Sequence, residues 1–294
     1  FIITGFNFSP GIRGALFLVL LVIYTLTLLG NLAIFSVICL ENSLHTPMYF
    51  FLSSLAVEDF GFISCTVPMC LKIMATGNGA ISQTDCIRQL FFYMSFGSVE
   101  FFLLAVMSVD RYVAVYYPLR YHNIITVQIC LILILLSWLV GFVVFLYPID
   151  LLYNLCFCGP FKLNHFFCEG SVLIKISCSD TSFFYMIFTI IAATIVLISF
   201  FITFVSYSYV IAAVMKIPSS VRKRKVFSTC SSHFIAVTLV YVTVLFLYVR
   251  PSGSVSIDLN KLVSILNSIL SPFSNPFIYS LRNKKVKETI WRII

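Results

Sequence analysis

Seven long stretches of this chain are almost free of charge, and they leave little room for anything else. They run over residues 14–40, 47–71, 89–109, 123–149, 181–215, 226–249 and 262–281, and mark spans over about 14–40, 47–71, 87–116, 123–149, 181–215, 222–249 and 259–281. An α-helix needs about 20 residues to cross the hydrocarbon core of a bilayer, and each stretch meets that length. The rest of the composition agrees. Of 294 residues, 60% are hydrophobic and 10% charged, whereas a soluble domain carries about 25% charged residues. A soluble fold, a disordered chain and a disulfide-stapled miniprotein are excluded. So is a large catalytic domain outside the membrane, because the spans use most of the length. Period-two alternation is absent, which excludes a barrel. The first stretch is too long for a signal-peptide core and reads as a span. The expected fold is an all-α membrane protein: one domain over 1–294, a seven-transmembrane helix bundle. The last residues, about 283–292, mix Lys284, Lys285 and Lys287 with Val286, Ile290 and Trp291. They read as a short amphipathic C-terminal helix on the inner face.

Orientation follows from the basic residues of the loops. With the N-terminus outside, the inner segments hold Arg111, Arg120, Lys216, Arg222, Lys223, Arg224, Lys225, Arg282, Lys284, Lys285, Lys287 and Arg292, which is 12 of the 19. The net charge of +8 therefore reads as membrane topology, with the lipid bilayer as a partner and no nucleic acid. Asn7-Phe8-Ser9 is a glycosylation sequon that falls outside in this orientation. Cys86, Cys156, Cys158, Cys168 and Cys178 also fall outside, where disulfides persist; five cysteines leave at least one unpaired.

Charges inside the spans are expensive and call for a role. Glu100 lies 11 residues before Arg111, about 16 Å up the third helix, and Asp59 should lie at a similar depth. Two facing carboxylates there would share a proton or hold a cation. Glu58 is turned about 100° from Asp59 around the helix and receives no role. Arg111 beside Asp110 can form an internal ion pair. Thr46-Pro47 reads as a capped helix start. Pro68, Pro272 and Pro276 lie within spans, where kinks are tolerated. On the third helix Met94, Gly97, Ser98 and Phe101 share a face.

Ordered motifs narrow the reading. Asp110-Arg111-Tyr112 ends the third span, and Asn275-Pro276-Phe277-Ile278-Tyr279 lies late in the seventh; Gly30-Asn31, Asp59 and Trp138 mark the first, second and fourth. Together they resemble the rhodopsin-like G-protein-coupled receptors. A narrower set resembles the olfactory receptors. Leu44-His45-Thr46-Pro47-Met48-Tyr49-Phe50 opens the second span. Ser108-Val109-Asp110-Arg111-Tyr112-Val113-Ala114-Val115 is similar to that family's MAYDRYVAIC, with Val109 for its Tyr and Tyr116 for its Cys. Val226-Phe227-Ser228-Thr229-Cys230-Ser231-Ser232-His233 is similar to KAFSTCSSH, and Pro272 to Asn283 to PxxNPxIYSLRN.

The resemblance implies a pocket for a small, mostly neutral volatile molecule. Its lining would be Met94, Gly97, Ser98, Phe101, Phe145, Ser171, Ala192, Ile195, Val244, Leu245, Tyr248, Ile265 and Ser268, with Tyr241 at the floor. It implies disulfides Cys86–Cys168 and Cys158–Cys178, leaving Cys156 free; Cys168 so engaged argues against a metal site at His165 to Glu169. It implies an allosteric sodium ion at Asp59 and Glu100, the alternative being a shared proton, and no other cofactor. Activation would free Arg111 from Asp110, Tyr207 and Tyr279 would move toward it, and Tyr112 completes the motif. Arg222, Lys223, Arg224 and Lys225 would either contact the G protein or merely mark the inner face. The expected function is an odorant receptor that activates a stimulatory, olfactory-type G protein and raises cyclic AMP. The expected location is the plasma membrane of olfactory neuron cilia, with the N-terminus outside. No acid occurs at 90–97 and no lysine in the seventh span beyond Lys261, which argues against amine and retinal ligands. HExxH and GxSxG are absent, so an enzyme is not expected. An ion-coupled transporter using Asp59 and Glu100 is the alternative, but no internal repeat supports it.

Overall fold

Helix starts in this chain are set by prolines and small capping residues. The computed structural model describes residues 1–5, 9–217, 219–248 and 257–282, without the side chains of 220–222, 224–229, 246–248, 257–260 and 279–282. Helix α1 (Pro10–Leu40) and helix α2 (Pro47–Thr76) both begin on proline, whose fixed φ and missing N–H suit a first turn. Thr46 does not cap with its side chain as expected; its carbonyl accepts from Tyr49 N at 2.9 Å instead. Helix α3 (Gln83–Tyr116) is capped by Ser82, whose Oγ accepts from Asp85 N at 3.0 Å. After the short α4 (Tyr121–Ile124), Thr126 caps α5 (Val127–Val143), accepting from Ile129 N at 3.3 Å. Next come α6 (Leu146–Tyr153), α7 (Gly170–Lys175), α8 (Ser182–Met215), α9 (Ser220–Tyr248) and α10 (Ile257–Arg282).

The fourth span departs from its expected 123–149. Residues 123–126 lie outside the long helix, and the helix is interrupted at Val144 and Phe145 before α6 carries it to Tyr153. The cause is Pro148, which has no N–H for the Val144 carbonyl and whose ring crowds that carbonyl. Counted through this break, α1, α2, α3, α5–α6 and α8 are long and apolar enough to cross a membrane. Helix α9 contributes the apolar stretch Cys230–Leu245, and the 26-residue α10 completes a seven-helix bundle. The expected surface helix at 283–292 and Asn7 lie outside the described residues.

The packing is that of a protein in lipid. Leu18, Leu135 and Phe201 point outward, while Thr27, Asn31, Ser54, Ser108 and Ser199 are buried. Buried hydroxyls mostly return their protons to a carbonyl one turn earlier, as Ser108 does to Leu104 at 2.8 Å. Small residues let helices approach closely. A Cβ on Gly141 would sit 2.6 Å from Val99 Cγ2 and 3.2 Å from Val99 N, so glycine sets the α5–α3 distance. Trp138 Nε1 donates to Ser54 Oγ at 2.8 Å and ties α5 to α2. In α10, Pro276 cannot serve the carbonyl of Pro272 four residues earlier. Asn31 Nδ2 from α1 donates to that carbonyl at 3.1 Å.

At the end of the bundle that carries the N-terminus, the loop between α6 and α8 folds over the helices. Strand β1 (Ile2–Ile3) pairs in parallel with β2 (Lys162–Leu163). Both implied disulfides are present, Cys86–Cys168 and Cys158–Cys178, with Cα–Cα distances of 5.3 and 5.6 Å. Cys156 is free and exposed. Gln89 clamps the first bridge: its Nε2 donates to Cys65 O at 2.6 Å and its Oε1 accepts from Cys168 N at 2.9 Å.

Candidate functional site

Three layers stack along the bundle axis: an apolar cluster, an acid cluster and an ionic contact.

Phe101 on α3, Phe145 between α5 and α6, Ile195 on α8, and Tyr241 and Val244 on α9 are all buried in one contiguous apolar cluster, with Met94 packed against it. The Phe101 and Tyr241 rings lie 5.5 Å apart. Phe145 meets Phe188 at 6.2 Å. Ser98 and Ser268 are buried, and Ala192 is half-buried. Gly97 turns toward α2, where a Cβ would contact Phe62 at 3.7 Å.

Besides Gly97, three of the residues expected to line a ligand site stand elsewhere. Ser171 is exposed and its hydroxyl donates to Glu169, because α7 lies on the outer surface of the loop. Leu245 is 49% exposed; one residue beyond Val244 turns it about 100° around α9, toward lipid. Ile265 packs with Leu20, Ile63, Val67 and Phe167, because α10 leans on α1 and α2. The side chain of Tyr248 lies outside the described residues.

Next to this cluster the acids converge. Asn275 Nδ2 donates to both oxygens of Asp59, at 3.1 and 3.0 Å. Ser271 donates its hydroxyl to Glu100. Glu58, left without a role by its position beside Asp59, is also fully buried. One carboxylate oxygen from each of Glu58, Asp59 and Glu100 lies within 4.8 Å of the other two. The 100° argument failed because α2 is covered on several sides, by α1, α3, α5 and α10, so neighbouring residues can both point inward. The cost of an acid in a span was the signal that could have found it. The donors are hard oxygens only, a set that fits an alkali or alkaline-earth cation.

At the end of the bundle away from the N-terminus Arg111 pairs with Asp110, its Nε donating at 3.1 Å. Tyr121 on α4 donates its hydroxyl to the other Asp110 oxygen at 2.6 Å. Burial and the Asp110 charge hold the Tyr121 phenol above its ordinary range. Tyr207 on α8 meets His233 Nδ1 on α9 at 2.5 Å, with the rings stacked. Sequence reasoning gave no role to Tyr121 or His233. His233 stood inside a quoted motif, whereas nothing local marks Tyr121. The Tyr112 ring lies tilted against Tyr116 and Tyr209, both 5.5 Å away. Lys223 Nζ reaches Met215 Sδ at 3.7 Å. The side chains of Arg222, Arg224, Lys225 and Tyr279 lie outside the described residues.

Above the pocket His165 is buried against Phe166 and Phe167, at ring distances of 4.4 and 4.8 Å. Burial and the Lys261 charge push it down to about 3, so it is neutral. Lys261 Nζ donates to Gly5 O at 3.1 Å.

A sequence profile of the olfactory receptors matches residues 20–294. Olfactory receptor 287 of Rattus norvegicus is 45% identical over 294 residues, covering 100% of this chain and 94% of its own. Olfactory receptor 6F1 of Homo sapiens is 42% identical over 290 residues, covering 99% and 94%. Olfactory receptor 6C70 of Homo sapiens is 40% identical over 288 residues, covering 98% and 92%. The chain belongs to the olfactory receptor family: it is a multi-pass membrane receptor for odorants that works with a G protein, and not an enzyme.

Proposed function

We propose that this receptor binds a small, mostly neutral volatile molecule among Met94, Ser98, Phe101, Phe145, Ala192, Ile195, Tyr241, Val244 and Ser268, and activates a stimulatory, olfactory-type G protein to raise cyclic AMP. The observation that carries this reading is the contiguous cluster of Phe101, Phe145, Ile195, Tyr241 and Val244, drawn from neighbouring helices that pack on one another. Burial supplies affinity there at about 25 cal/mol per Å² of apolar surface, and the hydroxyls of Ser98, Tyr241 and Ser268 supply orientation. Binding favours the population in which α9 moves away from α8, and this frees Arg111 from Asp110 to meet the G protein. Arg222, Lys223, Arg224 and Lys225 add to that contact. Asp59 and Glu100 hold a cation, sodium by resemblance, which offsets their charge. The N-terminus faces outside, and cilia of olfactory neurons are the site of action.

The test is cyclic AMP in cells expressing the receptor, screened against small volatile molecules, with Arg111→Ala at matched surface expression. An odorant-dependent rise that the variant loses supports the reading. Odorant-driven solute flux across sealed vesicles, without any nucleotide exchange, would place the acid pair in a transport mechanism instead.

A further inference from the structure

We propose that Glu58 makes the buried acid cluster a site for a divalent cation of the calcium class. The proposal rests on the reading that Asp59 and Glu100 hold a cation, and it changes the identity of that cation.

Glu58 has no accessible surface, and neither of its carboxylate oxygens has a hydrogen-bond partner. Its two neighbours are served, Asp59 by Asn275 and Glu100 by Ser271. Glu58 is therefore an unpartnered buried group aimed into an otherwise furnished pair. Among the described residues no ion pair joins a basic side chain to any of the three, and Arg111 is committed to Asp110. A buried carboxylate without a donor or a counter-ion is strongly disfavoured.

Charge then selects the occupant. Two carboxylates around one sodium ion leave a net charge of minus one. A third carboxylate around the same ion leaves minus two, and a divalent ion restores minus one. Geometry selects within the divalent class. Three oxygens no more than 4.8 Å apart share a centre within about 2.8 Å of each, and calcium binds oxygens at about 2.3–2.6 Å with a flexible shell of six to eight. Magnesium needs about 2.0–2.1 Å and near-ideal octahedral order, which would require a larger contraction. Each of the three carboxylates brings one such oxygen. Asn275 Oδ1 is also buried and without a partner, on the amide that already faces Asp59.

The experiment uses the full receptor in nanodiscs, stripped with chelator, and follows thermal unfolding against calcium, magnesium and sodium chlorides at constant ionic strength and pH. Radioactive calcium binding is measured in parallel. The expected result is a rise in Tm half-complete at a calcium concentration at least about tenfold below that for sodium or magnesium, with one calcium bound per receptor. Glu58→Gln should lose the calcium response and keep a sodium response, while Asp59→Asn should lose both. Equal potency of calcium and sodium, or a calcium response intact in Glu58→Gln, overturns the divalent assignment and leaves the cation reading standing. A wild-type receptor indifferent to all three salts but stabilised by lowering the pH overturns both readings, since protons then neutralise the cluster. The wild-type titrations decide even where a variant does not fold.

Discussion

Asp110 carries two partners on two oxygens, Arg111 on one and Tyr121 on the other. A hydrogen bond to a charged group contributes about 1.5–3 kcal/mol, so losing one shifts a two-state balance about tenfold or more. Tyr121→Phe should therefore raise basal cyclic AMP at unchanged surface expression; an unaltered basal level would mean that the hydroxyl does not hold the inner face closed. His165 makes a different kind of prediction. Its folded value of about 3 lies below its ordinary 6.5. As pH falls below 6.5 the unfolded chain takes up a proton that the folded one refuses, so stability declines from there down to about pH 3. The slope is at most about 1.4 kcal/mol per pH unit. The Tm of the purified receptor should fall between pH 7 and pH 5, and His165→Asn should flatten that slope. Individual residues were also where the sequence was hardest to read. In lipid both faces of a helix are apolar, so period alone does not separate inward Val244 from outward Leu245. Nor does it show that Glu58 and Asp59 both point inward.

At the scale of elements the sequence was far more legible, for a physical reason. Backbone polar groups cannot be left unpaired in hydrocarbon, so any apolar stretch of spanning length becomes a helix. The charges and prolines that bound the seven stretches accordingly fall within a few residues of the observed ends. The exception is the fourth span, where Pro148 breaks a continuous apolar run that composition reads as one helix. Loops followed chemistry in place of period, and the outer one is held by two bridges of unequal reach. Cys86–Cys168 closes 82 residues and Cys158–Cys178 closes 20. On the chain-entropy account these constrain the unfolded state by about 4.5 and 3.3 kcal/mol. The backbone N–H of residue 168, which Gln89 holds, survives Cys168→Ser, so the difference between the two variants reads the bridges themselves. Cys168→Ser should therefore lower Tm more than Cys178→Ser, measured on purified receptor. The reverse order would show that the loop hairpin, and not its tether to α3, secures the outer face.

In the whole molecule, α9 is the element that runs from the apolar cluster to the end of the bundle where Arg111 pairs with Asp110. Tyr241 and Val244 stand in the apolar cluster, and His233, two turns below on the same helix, is fastened to Tyr207 of α8. Thr243 on the same helix donates its hydroxyl to Asn267 Oδ1 of α10 at 2.7 Å. Helix α9 is thus held to α10 at the level of the pocket and to α8 near the inner end. A rigid helix pushed at one end and released at the other moves as a lever, which is how a small ligand can act on Arg111 several turns away. The contact to release is the one between Tyr207 and His233. Tyr207→Phe keeps the ring, its stacking on His233 and its edge contact with Phe234, and removes only the hydroxyl. A hydrogen bond of about 1 kcal/mol shifts a two-state equilibrium about fivefold. Basal cyclic AMP should rise by that order, and odorant should act at lower concentration, because less of the binding energy is spent on opening the helix pair. A Tyr207→Phe receptor with lower basal signalling would instead mean that the tyrosine hydroxyl is needed in the open state, where it would reach Arg111, and that release of α9 is governed by its hold on α10.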